Sequence, residues 1–364
     1  MRLNGRTVLG LALIVIVGGP AVAYAWGPAT HTRLALDVLA QGALLPAAVA
    51  GLLARHAASF VFGNIAADVV FAKRMSRVKQ FCHHWSTGFG FLERAGTEAD
   101  RAFAHGYLSH LAADTVAHNK YVPRQLATTR ATLNFGHLYW EMRADGQVDA
   151  PTWRMMQEVL AADHENHHAV LSAELTATLL PYHFNRRLFE RINRTVTRDY
   201  WKACTDVWYR CSRWDLCRGL LAEYRQESVD RVLSVLAHGA ASPVVREDPN
   251  GTAALHMVRL MRRERRRLVR RGVPIERHLR ATAAALAPSP SLRRRWMFSS
   301  TTMASSTIRP VASTRASRVR MLTEKPSIHT KASTPRSDTG MAIAGTRVRR
   351  REPEKRRIVP TTTS

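Results

Sequence analysis

The sequence predicts an all-α protein: a multi-helix bundle with polar groups in its core, followed by a disordered basic C-terminal tail. Three observations predict it. From Trp26 to about Arg280, Ala and Leu recur at helical spacing, and few Val/Ile/Thr alternations suggest strands. Helix-start signals punctuate that stretch, among them Thr97-Glu-Ala-Asp100, a capping residue followed by early acids. From about Ala287 the texture changes to Ser, Thr, Arg and Pro without sustained periodicity. Such a composition buries too little apolar area to offset chain entropy.

Residues 1–25 read as a secretory signal peptide. Arg2 and Arg6 form a positive n-region, Val8 to Val17 an apolar h-region, and Ala23-Tyr24-Ala25 an A-x-A cleavage site. The apolar run is short of the roughly 20 residues a spanning helix needs. The expectation is an exported protein, periplasmic or secreted, whose mature chain starts at Trp26 with a free α-amine. Thr32 to Leu44 is the first candidate helix, and Pro46 starts a second at a position where proline is tolerated. The helix opened by Thr97 runs through His118, and Pro123 ends it. Ala131 to Asp145 is another, and Pro151-Thr152 opens a further one toward His168. Leu188 to His238 supplies two or three more, with Trp201, Trp208 and Trp214 partly in the core. The domains expected are 26–185, a helical domain carrying the site, 186–286, a helical extension, and 287–364, the tail.

The net charge is +26. Residues 287–364 hold 17 Lys and Arg against 4 Asp and Glu, half of that excess, so the basic balance says little about the helical domain. Met261 to Arg271 (MRRERRRLVRR) carries seven arginines in eleven residues. As a helix it is charged nearly all round and does not belong to a core. Arg262–Arg271 suits an anionic membrane surface or nucleic acid, and equally a solvated helix end. The four cysteines (Cys82, Cys204, Cys211 and Cys217) contain no CxxC unit. Export permits one bridge among the last three, with Cys82 joining the odd one; buried free thiols are the alternative.

The most specific segment is His110-Leu-Ala-Ala-Asp114-Thr-Val-Ala-His118. Each step of four advances about 400° on a helix, so the three polar residues form one row, drifting about 40° per step. Small and apolar residues lie between them. Two imidazoles and a carboxylate on a buried face need a partner, and a divalent metal is the simplest one. His137-Leu-Tyr-Trp-Glu141 repeats the pattern among apolar and aromatic neighbours. Two such helices can face each other across a bundle core, where helical metal sites are built. Upstream candidates are His31 in Trp26-Gly-Pro-Ala-Thr-His31, Asp68 after a turn in Gly63-Asn-Ile-Ala-Ala-Asp68, and His83 or His84 in Cys82-His83-His84-Trp85. Five histidines and three carboxylates suit zinc. Eight side chains exceed the needs of one ion and imply two or three, with bridging carboxylates. His105 points off the ligand row. The patch Asp163-His164-Glu165-Asn166-His167-His168 reads as a solvated loop or helix end.

This constellation resembles the zinc-dependent phospholipase C family, whose relatives include the S1/P1 nucleases. The resemblance covers roughly Trp26 to Asp145. It implies a helical fold holding three zinc ions, with the amino and carbonyl groups of an N-terminal Trp chelating one of them. It places Trp26 and His31 on one zinc, Asp114 bridging to a second completed by Asp68, His83 and His110, and His118, His137 and Glu141 on the third. It also implies hydrolysis of a phosphodiester by a metal-bound hydroxide, with Asp68 as general base or water-orienting group. Glu141 favours the phospholipase branch, in which the substrate is a phospholipid headgroup ester. The five-residue step from Trp26 to His31 is nuclease-like, and keeps a single-strand nuclease as the alternative. A non-catalytic metal-binding envelope protein is the other.

Overall fold

The computed structural model describes residues 26–70, 81–129, 133–176, 180–195, 198–199 and 216–289. Among these residues the chain is helical with no strand. The helices are α1 (Pro28–Leu39), α2 (Ala47–Arg55), α3 (Ala57–Ala66), α4 (Trp85–Glu93), α5 (Glu98–Val116), α6 (Val122–Thr128), α7 (Leu133–Asp145), α8 (Ala150–Ala161), α9 (Glu165–Glu174), α10 (Tyr182–Thr195), α11 (Arg218–His238), α12 (Thr252–Arg270) and α13 (Glu276–Ala285). The expected all-α class is thus observed. The signal segment, Trp201, Trp208, Trp214, Cys204, Cys211 and the tail beyond residue 289 lie outside the described residues.

Helix α5 is the hub. Thr97 Oγ1 accepts from Asp100 N, and the Asp100 carboxylate accepts from Thr97 N, closing a capping box at its start. From Ala102 to Val116 every residue except His105 is buried. Helices α1, α3, α4 and α11 pack around it. A helix buried on all sides must be small or apolar wherever it carries no function, which explains the Ala-rich run between the polar residues. Phe60, Phe62, Phe103 and Tyr107 fill the space beside it, each burial worth about 1.5–3 kcal/mol.

Glycine pairing sets how closely α3 approaches α5. A Cβ on Gly63 would lie 2.1 Å from the Phe103 carbonyl oxygen, and one on Gly106 would lie 2.1 Å from that of Phe60. The two backbones therefore touch. Gly63 does not mark a turn: Gly63 and Asn64 sit inside α3, and the chain leaves it through a 3-10 turn, Ala67–Val69, that carries Asp68.

Several boundaries differ from the sequence expectation. The first helix starts at Pro28 and stops at Leu39, and Gly42–Leu44 is a separate 3-10 turn. Pro123 does not end the α5 path. A π-helical turn, Ala117–Tyr121, follows α5, and α6 continues with Pro123 in its first turn, where no donated N–H is needed. The run expected from Pro151 to His168 is broken into α8 and α9 between Ala161 and Glu165. The 185/186 boundary falls inside α10. Helix α11 shares the main core: its Val229, Val232, Val235 and Leu236 are buried in it, and Trp26 Nε1 donates to Ser228 Oγ at 3.3 Å. No single described helix is long and apolar enough to cross a membrane.

Candidate metal centre

Asp114 lies at the middle of the site. Its Oδ1 is 3.3 Å from His31 Nε2. Its Oδ2 is 3.3 Å from both His83 Nε2 and His110 Nε2, and 3.7 Å from His118 Nε2. Asp68 Oδ1 stands 3.5 Å from His83 Nε2 and 3.9 Å from His110 Nε2. These six side chains come from α1, α5, the π turn and the 3-10 turns at Ala67–Val69 and Phe81–His83. All of them are at most 2% exposed.

The second pair closes the set. His137 Nε2 is 2.9 Å from Glu141 Oε1 on α7, and the His118 and His137 rings are 5.2 Å apart. His118 thus stands between Asp114 and the α7 pair. It occupies the π turn, whose wider path interrupts the α-helical phase at that residue.

The polar atoms are presented to one another without mutual satisfaction. Both Asp114 oxygens and His31 Nε2 are buried and make no aligned hydrogen bond, although they lie within ion-pair distance. His110 and His83 face each other through Nε2 atoms 3.1 Å apart. His110 Nδ1 donates to the Asn64 carbonyl at 2.8 Å, which fixes the tautomer and leaves the Nε2 lone pair toward the site. Burial lowers the pKa of His31, helped by neighbouring His110. Burial alone would raise the Asp114 carboxyl; the imidazoles of His110, His31 and His83 outweigh it and hold it well below the usual carboxylate range. The result is a buried Asp114 carboxylate that favours its ionised form, beside a His31 ring whose neutral form is favoured. Each unsatisfied buried group costs about 1–3 kcal/mol, so a set of this size calls for a cation. Two triads, His31/Asp68/His110 and His83/His110/Asp114, have ligand atoms within 4.8 Å of one another.

A model of the zinc-dependent phospholipase C family matches residues 30–210. The chain belongs to this family. No curated protein and no solved structure matches it. The donors present fit the family's metal: imidazole nitrogen and carboxylate oxygen are zinc ligands, and the buried Asp114 oxygens, without an aligned hydrogen bond, are what a bound cation would satisfy.

The structure brings together His31, Asp68, His83, His110, Asp114, His118, His137 and Glu141. Of the adjacent pair, His83 enters the cluster, while His84 caps the start of α4 and is only part-buried. Trp26 is fully buried at the foot of α1, its ring stacked on Tyr121 of the π turn at 4.6 Å. Cys82 is a free buried thiol with Sγ 3.3 Å from His83 Nδ1, and Cys217 is free and exposed.

Three supports were not legible in the sequence. The Asn64 carbonyl orients His110. Asn250 Nδ2 donates to the His83 carbonyl at 3.2 Å. Gly251, in the left-handed region at φ 60°, lies against His118, where a Cβ would come within 2.3 Å of the His118 carbonyl oxygen. The last two sit more than a hundred residues downstream of their partners, and no spacing rule reaches that far.

The histidine patch of α9 corrects its expectation. His164, His167 and His168 are each 6% exposed rather than solvated. His164 stacks on Phe62 at 4.1 Å, and His167 on Phe103 at 4.6 Å. His168 Nδ1 is 2.8 Å from the Tyr182 hydroxyl. Helices α3 and α5 supply the apolar setting that the local sequence lacks.

Proposed function

We propose that the chain is a zinc-dependent phosphodiester hydrolase acting on phospholipid headgroups as a phospholipase C. One observation carries the reading: a fully buried Asp114 carboxylate surrounded by four imidazole Nε2 atoms at 3.3–3.7 Å, with neither oxygen hydrogen-bonded. Zinc bound there would neutralise charge on the phosphate and lower the pKa of water toward about 7. The family supports zinc and the phospholipase class. The site would hold three ions, and the substrate would be a phospholipid.

The residues have distinct tasks. Asp114 offers one oxygen to the His31 side and the other to the His83, His110 and His118 side, as a bridging ligand must. His110 is held in its ligating tautomer by Asn64. Asp68, whose Oδ1 lies 3.5 Å from His83 and 3.9 Å from His110, would accept the proton of the attacking water. His118, His137 and Glu141 form the third donor group. Trp26 joins the His31 group through its terminal amine and carbonyl once residues 1–25 are removed, which makes export a condition for completing the site.

The test uses mature, zinc-loaded protein with a diacyl phospholipid and, in parallel, single-stranded DNA. Release of diacylglycerol, abolished by Asp68→Asn, is expected. Turnover of DNA alone would overturn the phospholipase reading, and turnover of neither would favour a metal-binding envelope protein.

A further inference from the structure

Helix α12 begins at the metal centre and lies outside the segment matched by the family. Its N-terminus is tied to the site: Asp248 Oδ2 accepts from Thr252 N at 2.9 Å, Asn250 holds the His83 carbonyl, and Gly251 abuts His118. Its inner face is pinned as well. Arg262 donates to the Leu126 carbonyl at 3.1 Å, and Arg265 to those of Ala127 and Thr129 at 3.0 and 2.9 Å. These two arginines serve the open C-terminal carbonyls of α6. They are therefore not part of any outward basic surface.

With that face turned inward, Arg259, Arg263, Arg266 and Arg270 point out, and all four are exposed. Their spacing places them within about 60° of arc, in one row along the helix. The only acid of α12, Glu264, pairs with Arg267 at 3.4 Å rather than with the row. Among the described residues no carboxylate lies within ion-pair distance of these four. Leu260, 41% exposed, lies about 90° round the helix from the centre of the row. At a rise of 1.5 Å per residue, the row extends from about 12 to 28 Å beyond Gly251.

We propose that this row docks the protein on an anionic phospholipid surface, presenting the metal centre to its substrate. The choice of partner rests on the phospholipid reading above. Charge complementarity supports it, since basic rows are attracted to anionic headgroups while exposed apolar side chains enter the interface. Single-stranded nucleic acid is the poorer fit: it needs aromatic platforms for its bases, and residues 252–285 contain no Phe, Tyr or Trp.

The experiment compares the wild-type full chain with the variant Arg259→Gln, Arg263→Gln, Arg266→Gln, Arg270→Gln. Both keep the +13 of residues 287–364, so the difference isolates the row. Sedimentation with vesicles of neutral lipid, with or without about 30% anionic lipid, reads partitioning. The wild type should prefer anionic vesicles, and the variant should bind them up to about 1,000-fold more weakly, at about 1 kcal/mol per arginine. Hydrolysis of a water-soluble short-chain diester should be equal in both. Equal vesicle binding by the two proteins overturns the proposal, as does tighter binding of a single-stranded oligonucleotide than of vesicles through the same four residues. Wild-type binding that does not weaken between about 0.05 and 0.5 M salt also overturns it, without relying on the variant. If the row binds vesicles but neither protein hydrolyses the soluble diester, docking stands and the phospholipase reading falls.

Discussion

Replacing Gly63 by Ala should loosen zinc binding although residue 63 touches no ligand. The added Cβ would lie 2.1 Å from the Phe103 carbonyl oxygen and 3.0 Å from Gly106 Cα, against ordinary contact from 3.4 Å upward. Both obstacles are backbone, so α3 and α5 must part by about 1 Å. Asn64 follows Gly63, and its carbonyl holds His110 Nδ1 at 2.8 Å. If most of that movement falls on this contact it lengthens to about 4 Å, beyond a hydrogen bond. Overpacking should cost about 1–3 kcal/mol, and loss of the orienting carbonyl about 10- to 100-fold in zinc affinity. Urea unfolding and competition with a chelator measure the two effects. Gly219→Ala in α11 is the control: a Cβ there meets nothing within 4 Å, and the change should stabilise by up to about 1 kcal/mol. Gly63→Ala protein with wild-type stability and zinc affinity would refute the argument that backbone contact at Gly63/Gly106 sets the site.

Two further outcomes are expected. Protein retaining an extra Met before Trp26 should hold one zinc fewer than the mature form by native mass spectrometry; equal content would show that the terminal amine is not a ligand. Burial, followed by nearby Arg186, pushes the His168 pKa from 6.5 down to about 4. A lowered folded-state pKa favours the neutral ring, so the stabilisation is present above about pH 6.5 and is lost as pH falls toward 4. After discounting for solvent screening the loss is about 1–2 kcal/mol. His168→Gln should flatten the stability profile across that window, and an unchanged slope in zinc-saturated protein would contradict this.

The site was more legible in the sequence than the packing that holds it. Helical spacing alone put His110, Asp114 and His118 on one face, because a four-residue step nearly closes a turn. The capping chemistry of Thr97 and Asp100 located the start of α5 for the same local reason. What failed depended on contacts distant in sequence. The α9 histidines lack apolar neighbours nearby, yet Phe62 and Phe103 bury them. Gly63 read as a turn because glycine is commonest there, whereas here its missing side chain admits another backbone. The π turn at His118 and the return of residues 248–251 onto His83 and His118 have no local signature. In the arginine-rich segment, composition showed a charged helix, but only the carbonyls of α6 reveal that Arg262 and Arg265 face inward.

Zinc content of Asp114→Asn against wild type, by native mass spectrometry of the mature chain, bears most directly on the cluster. Asparagine keeps the shape but removes the charge that four imidazoles surround. Three ions in the wild type and a loss of at least two in the variant are expected, because this carboxylate joins the His31 and His110 groups. A wild type that binds no zinc, or a variant that keeps its full complement, would contradict a cluster built on Asp114.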